Sequence, residues 1–318
     1  MALKHLMQGA VAGAALAVSV AALPATAQAE GEHFVMISHG PDSDTWWNTI
    51  KNAIALAGEQ MEVSVDYLNP PTGDLADMAR LVEQAASSNP DGIIVTIADF
   101  NVLQGPITDA VRKGIPVITI NSGTQEQSDE LGALLHIGQP EYDAGYGAGL
   151  RAKEAGVTNF LCVNHYITNP ASVERCQGFA DALGVELGDQ MIDSGIDPTE
   201  VTTKVEAYLR THPETNGILA LGPNSAEPTI QVLEDNRMAG EIFFGTFDLS
   251  AGIAEAIKAG TINFAIDQQP FLQGYLPVVL LTNYARYGVI PSSDINSGPG
   301  FVTEENIALV EELAGEYR

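Results

Sequence analysis

The polar residues of this chain best suited to grip a small molecule stand one by one just after short apolar runs. Ser38 and His39 follow "FVMI", Asn121 and Ser122 follow "VITI", and Asn164 and His165 follow or close "FLCV". Asn224 follows "GILALGP" and Asp248 follows "IFFGTF". Amides, hydroxyls and imidazoles with one carboxylate supply both donors and acceptors, which is what a guest carrying several hydroxyls requires. The only two tryptophans, Trp46 and Trp47, sit beside the first of these clusters in "HGPDSDTWWNTI". A sugar ring offers C–H bonds on its face and hydroxyls at its rim, so a flat indole complements the face while amides hold the rim. Adjacent helical residues point about 100° apart. Either one indole stacks on the guest while the other walls the pocket, or both pack against the sheet.

No pattern for bond-breaking chemistry accompanies these groups. There is no G-x-S-x-G elbow, no P-loop and no Cys/His metal spacing, and the histidines are scattered singly. Enzyme activity is therefore not expected, nor is a metal or other cofactor. "GYGAG" at 145–149 has the look of a nucleotide loop, but no strand immediately precedes it; small residues for close helix packing explain it better. His136 reads as structural.

The elements that must position these groups alternate. Short β-rich apolar runs are predicted at 34–38, 63–68, 92–97, 117–121, 159–164, 191–194, 217–221, 242–247 and 263–267. Stretches of helical periodicity fall between them at 45–59, 74–88, 101–113, 141–155, 171–183, 199–211, 225–236, 250–259 and 271–287. This is the pattern of a parallel α/β fold, and the unbroken apolarity of "GIIVTI" and "IPVITI" fits strands covered on both faces. Two similar series emerge, divided near residues 137–140. In open parallel sheets ligands bind beyond the carboxyl ends of the strands, where the polar residues above stand.

Residues 1–29 read as an export signal: Lys4 and His5, an apolar run from Gly9 to Leu23, and Ala27-Gln28-Ala29 as a small-x-small cleavage pattern. The alternative, a transmembrane anchor, needs about 20 apolar residues. Setting 29 residues aside leaves 318 − 29 = 289, a length that favours two domains. The net charge of −27, with no basic cluster, argues against nucleic acid or anionic membrane as a partner. Cys162 and Cys176 in an exported chain are expected to form a disulfide; two buried free thiols are the alternative.

Taken in order, these segments resemble the sugar-binding proteins of ABC importers, of the ribose/galactose type within the type I periplasmic binding proteins. "NPDGIIVTIADFNVLQGPITDAVRKGIPVITINSG" is similar to the stretch that leads to a ligand-binding Asp or Asn, here Asn121. "HIGQPEYDAGYGAG" resembles the crossing into the second domain, and "ASVERCQGFADALG" the helix whose arginine, here Arg175, reaches the sugar. "LALGPNSAEPTIQVLE" places Asn224 at an Asn-Asp pair, with Ser225 replacing the acidic partner. "FFGTFDLSAGIAEAIKAGTINFAIDQQPFLQGY" supplies Asp248 and then Gln268 at the hinge. Two departures bear on specificity. The first loop carries His39 and Asp44 rather than a compact Asn-rich turn, and Ser122 stands where an arginine often follows.

The resemblance implies two Rossmann-like doubly wound parallel-sheet domains joined by a multi-strand hinge, 30–138 plus 268–297 and 139–267 plus 298–318. It implies a periplasmic monomer that captures a monosaccharide or sugar alcohol between the domains and delivers it to an ABC permease and ATPase; a signal receptor feeding chemotaxis or a sensor kinase is the alternative. Its ligand contacts would be His39, Asp44, Trp46, Trp47, Asn121, His165, Arg175, Asn224, Asp248 and Gln268, with Arg175 and Asp248 compensating each other's charge. Three residues also have plainer readings: Arg175 as a surface arginine, Asp248 as the cap of the helix near Ser250, and Gln268 as a partner for hinge backbone.

Overall fold

A computed structural model describes residues 31–318; the export-signal reading of 1–29 lies outside them. Two six-stranded sheets organise the chain. The first contains β1 (His33–Ile37), β2 (Ser64–Leu68), β3 (Gly92–Val95), β4 (Val117–Ile120), β5 (Leu135–Gly138) and β11 (Ile295–Asn296). Their order is β11-β5-β4-β3-β1-β2, with every pairing parallel. The second contains β6 (Phe160–Asn164), β7 (Met191–Asp193), β8 (Gly217–Ala220), β9 (Phe243–Phe247), β10 (Phe264–Asp267) and β12 (Gly300–Val302). Its order is β12-β10-β9-β8-β6-β7, parallel except where β12 runs against β10.

The two halves repeat one another strand for strand, β1 to β5 matching β6 to β10. The register agrees in detail: Phe34 of β1 lies opposite Gly92 of β3, and Phe160 of β6 lies opposite Gly217 of β8. Alternation along each strand divides the core. Val35 and Ile37 face α2 (Leu75–Ser88) and α3 (Phe100–Arg112), whereas Phe34 and Met36 face α1 (Trp47–Met61) and α10 (Pro270–Tyr287). In the second half Leu161 and Val163 face α7 (Pro198–Thr211), α8 (Pro223–Asp235) and α9 (Ala251–Lys258). Phe160 and Cys162 face α5 (Glu141–Glu154) and α6 (Pro170–Leu183).

Local chemistry sets the helix ends. Asp99, Asn169, Asp197 and Ser250 each accept a hydrogen bond from a first-turn N–H, and Thr124 forms a capping box with Gln127 at the start of α4 (Gln125–Leu131). Helices α5 and α6 pack at the distance only glycine allows. A Cβ on Gly145 would collide with the Arg175 carbonyl, and one on Gly178 with the Tyr142 carbonyl. "GYGAG" is therefore a packing motif, and it seats Arg175.

Helix α4 and strands β5, β11 and β12 have no counterpart among the sequence expectations. "QEQSDEL", "LHIG", "IN" and "GFV" are too short or too polar to show a period. The first helix begins at Trp47 rather than residue 45, leaving Trp46 at its N-terminal boundary. The chain crosses between the sheets three times, after β5, after β10 and between β11 and β12. Among the described residues no helix is long and apolar enough to cross a membrane. Cys162 of β6 and Cys176 of α6 are joined by a disulfide with Cα atoms 5.9 Å apart.

Candidate ligand-binding cleft

The carboxyl ends of the two sheets face each other across a cleft, and all ten residues expected to contact a ligand line it. The internal repeat explains much of the arrangement. His39 and His165 occupy equivalent places, each two residues beyond the strand position that pairs with β3 or β8 at Val95 or Ala220. Asn121 and Asp248 each directly follow the fourth strand of their half, and both adopt left-handed backbone, with φ of 60° and 63°. Asn and Asp are the non-glycine residues that tolerate this region best. Gln268 follows β10 and ties the halves together: its Oε1 accepts from Asn121 Nδ2 at 3.1 Å and its Nε2 donates to Asp248 Oδ1 at 2.8 Å.

Gln268 thus directs its side chain to side chains of the cleft, not to hinge backbone. Ser250, not Asp248, caps α9. Burial pushes the Asp248 carboxyl up to about 7, against the lowering influence of Arg175 and of hydrogen bonds from Gln268 and Trp46.

Arg175 is buried, which removes its reading as a surface arginine. The hydrogen-bonded counter-ion of Arg175 is Glu141, while Asp248 favours its charge without a direct bond. The Arg175 Nε donates to Glu141 Oε2 at 2.6 Å, Nη2 to Glu141 Oε1 at 2.8 Å and Nη1 to the Leu221 carbonyl at 3.1 Å. Burial works against the guanidinium's charge, but Glu141, with Asp248 adding to it, more than offsets this, so its pKa is raised. The guanidinium carbon lies 4.3 Å from the Phe247 ring centroid. Asp248 acts on Arg175 through space only. The reason is the close approach of α5 to α6, which brings Glu141 from the first turn of one helix to the middle of the other.

The imidazoles are neutral. Burial lowers His39 to about 4 and His165 to about 3. His39 Nδ1 lies 3.0 Å from Thr96 Oγ1, and His165 Nδ1 lies 3.4 Å from Ser225 Oγ. The Ser225 hydroxyl thus lies within reach of both the Gly222 carbonyl and His165 Nδ1. His136 is buried away from the cleft, with Nδ1 2.9 Å from Thr119 Oγ1.

The two tryptophans meet edge to face with centroids 5.0 Å apart. Trp47 is only 2% exposed and packs with Phe34 and Ile50, while Trp46 is half-buried. They differ in environment as two neighbouring helical positions must.

Three residues of this region lie beyond the sequence expectations: Glu141, Tyr166 and Asn169. Tyr166 donates to Asp44 Oδ2 at 2.8 Å and Asn169 Nδ2 donates to Ser122 Oγ at 3.0 Å. Asn169 had a visible signal as a helix cap before Pro170, and Tyr166 directly follows His165. Their partners lie more than forty positions away in sequence.

Two repeated α/β lobes with a polar, aromatic-walled cleft between their strand ends define a two-lobed binding protein. Residues 34–288 match the family model described as periplasmic binding protein domain, and the chain belongs to that family, whose members are binding proteins and not enzymes. It is 26% identical over 262 residues to the xylose/arabinose-binding protein XylF of Sulfolobus acidocaldarius, a match covering 78% of this chain and 65% of that relative's length. A carbohydrate transporter structure from Acidothermus cellulolyticus, in complex with myo-inositol, is 31% identical with a TM-score of 0.83, covering 91% of this chain and all of that one. A periplasmic sugar-binding protein structure from Legionella pneumophila is 26% identical with a TM-score of 0.77, covering 84% and 99%.

Proposed function

We propose that this chain is the substrate-binding protein of an ABC importer, taking a monosaccharide or polyol, cyclitols included, into the cleft and presenting it to a permease and its ATPase. In this reading residues 1–29 direct export to the periplasm and the mature protein acts as a monomer. The lobes 30–138 plus 268–297 and 139–267 plus 298–318 rotate about the three crossings, and a guest held from both sides favours the shut arrangement by its differential affinity.

The observation that carries the reading is the cleft's inventory. Asn121, Asn224 and Gln268 supply amides, His39 and His165 neutral rings, and Arg175 with Asp248 the charged donors and acceptors, all near Trp46. Such a set suits an uncharged guest with hydroxyls around a ring. The myo-inositol bound to a relative similar over its full length supports placing cyclitols first among the candidates.

A thermal-shift panel of cyclitols, pentoses, hexoses and linear polyols tests it, because a specific binder raises apparent stability by about 2.7 kcal/mol at one hundred times its dissociation constant. A hit with sugars or polyols and none with amino acids or peptides is the expected result; the reverse rejects the substrate class. Calorimetry on Arg175→Ala should then show a loss of roughly 2–5 kcal/mol.

A further inference from the structure

Asp44 is nearly saturated by donors of the protein itself. It lies on the loop between β1 and α1, is buried, and its Oδ1 accepts from the Trp46 N–H at 3.2 Å and from Asn224 Nδ2 at 3.1 Å. Its Oδ2 accepts from the Tyr166 hydroxyl at 2.8 Å. A carboxylate has about four lone-pair positions, and three are engaged. Two of those three donors belong to the opposite lobe. The Tyr166 ring also touches imidazoles of both lobes, with centroids 5.8 Å from His39 and 4.7 Å from His165. A further cross-lobe bond, Asn169 to Ser122, lies at another pair of loops.

We propose that Asp44 and Tyr166, seconded by Ser122 and Asn169, form a latch that holds the lobes together directly, making Asp44 a positioning residue for closure instead of a reader of the guest's hydroxyls. The inference rests on the cleft being the ligand site. A bond made between lobes stabilises the shut form whatever the guest. The apparent dissociation constant is the intrinsic one divided by the fraction of protein that is binding-competent, so the latch tightens all guests by one common factor. A direct ligand contact behaves differently, because it discriminates between epimers that present or lack the matching hydroxyl.

The test pairs Tyr166→Phe and Ser122→Ala with two measurements. Small-angle scattering of the ligand-free proteins should show a larger radius of gyration for Tyr166→Phe than for the parent. Calorimetry and stopped-flow with myo-inositol, scyllo-inositol, D-xylose and D-ribose should show affinity falling by the same factor for every binder, roughly tenfold. The loss should appear in the dissociation rate, and the rank order should be kept. In an Asp44→Ala background Tyr166→Phe should change nothing further. An unchanged radius, or a loss confined to one epimer, overturns the latch. If no sugar or polyol binds, the ligand reading fails while the scattering still decides the latch.

Discussion

Arg175 and Glu141 form a two-pronged ion pair in the cleft wall, with Nε 2.6 Å from Oε2 and Nη2 2.8 Å from Oε1. Both side chains are almost wholly buried, at 8% and 3% exposure. Removing one partner of such a pair leaves an uncompensated charge and costs about 3–5 kcal/mol. Glu141→Ala should therefore lower the unfolding free energy measured by urea denaturation by an amount in that range, and Glu141→Gln by less because hydrogen bonds persist. Glu141 is also one of the groups holding the Asp248 carboxyl up. In Glu141→Gln, carboxyl NMR should find Asp248 titrating below its parent value of about 7.

Stability should fall in mild acid. Burial lowers His39 and His136 to about 4 and His165 to about 3, while an unfolded chain takes up these protons near 6.5. The unfolded state then binds more protons as pH drops below about 6.5, so these three rings favour unfolding progressively down to their folded values. Asp248 has the opposite sign: raised to about 7, it favours the folded state as pH falls from about 7 to about 4. Three groups outweigh one. Urea midpoints should show a net loss on the order of 3 kcal/mol between about pH 7 and 5, and Asp248→Asn should enlarge it.

The neighbouring indoles should separate binding from folding. Trp47 belongs to the core, so Trp47→Ala should cost about 3–5 kcal/mol of stability. Trp46 is half-buried beside the cleft, and Trp46→Ala should weaken ligand affinity at least about tenfold with a much smaller change in the unfolding midpoint. Calorimetry and urea denaturation on the two variants check this.

The disulfide closes a loop of sequence separation 14, for which chain entropy provides about 3 kcal/mol. Cys162→Ala/Cys176→Ala should lose roughly that amount. Because Cys176 adjoins Arg175 on α6, ligand affinity should fall as well; reductant on the parent protein should reproduce both effects in unfolding and binding assays.

What could be seen in advance was whatever local pattern encodes. His39, Asn121, His165, Asn224 and Asp248 were visible because each closes an apolar run, and strand ends are where parallel sheets bind. Trp46 and Trp47 stood out by rarity and position. Arg175 and Gln268 came only through resemblance, since nothing in a helix or in "DQQP" marks a cleft. The partnership of Arg175 with Glu141 has no signature in the sequence because it arises from glycines that let two helices touch. Asp44's ties to Tyr166 and Asn224 leave no local trace because they join a loop of one lobe to a loop and a helix start of the other. Edge strands of two and three residues carry no periodicity to read.

The pair β11 and β12 completes the edge of each sheet with the same short piece of chain. During synthesis both sheets therefore remain unfinished until residues 295–302 emerge. Discarding the polypeptide from any point before that segment onward therefore strips an edge strand from both sheets at once.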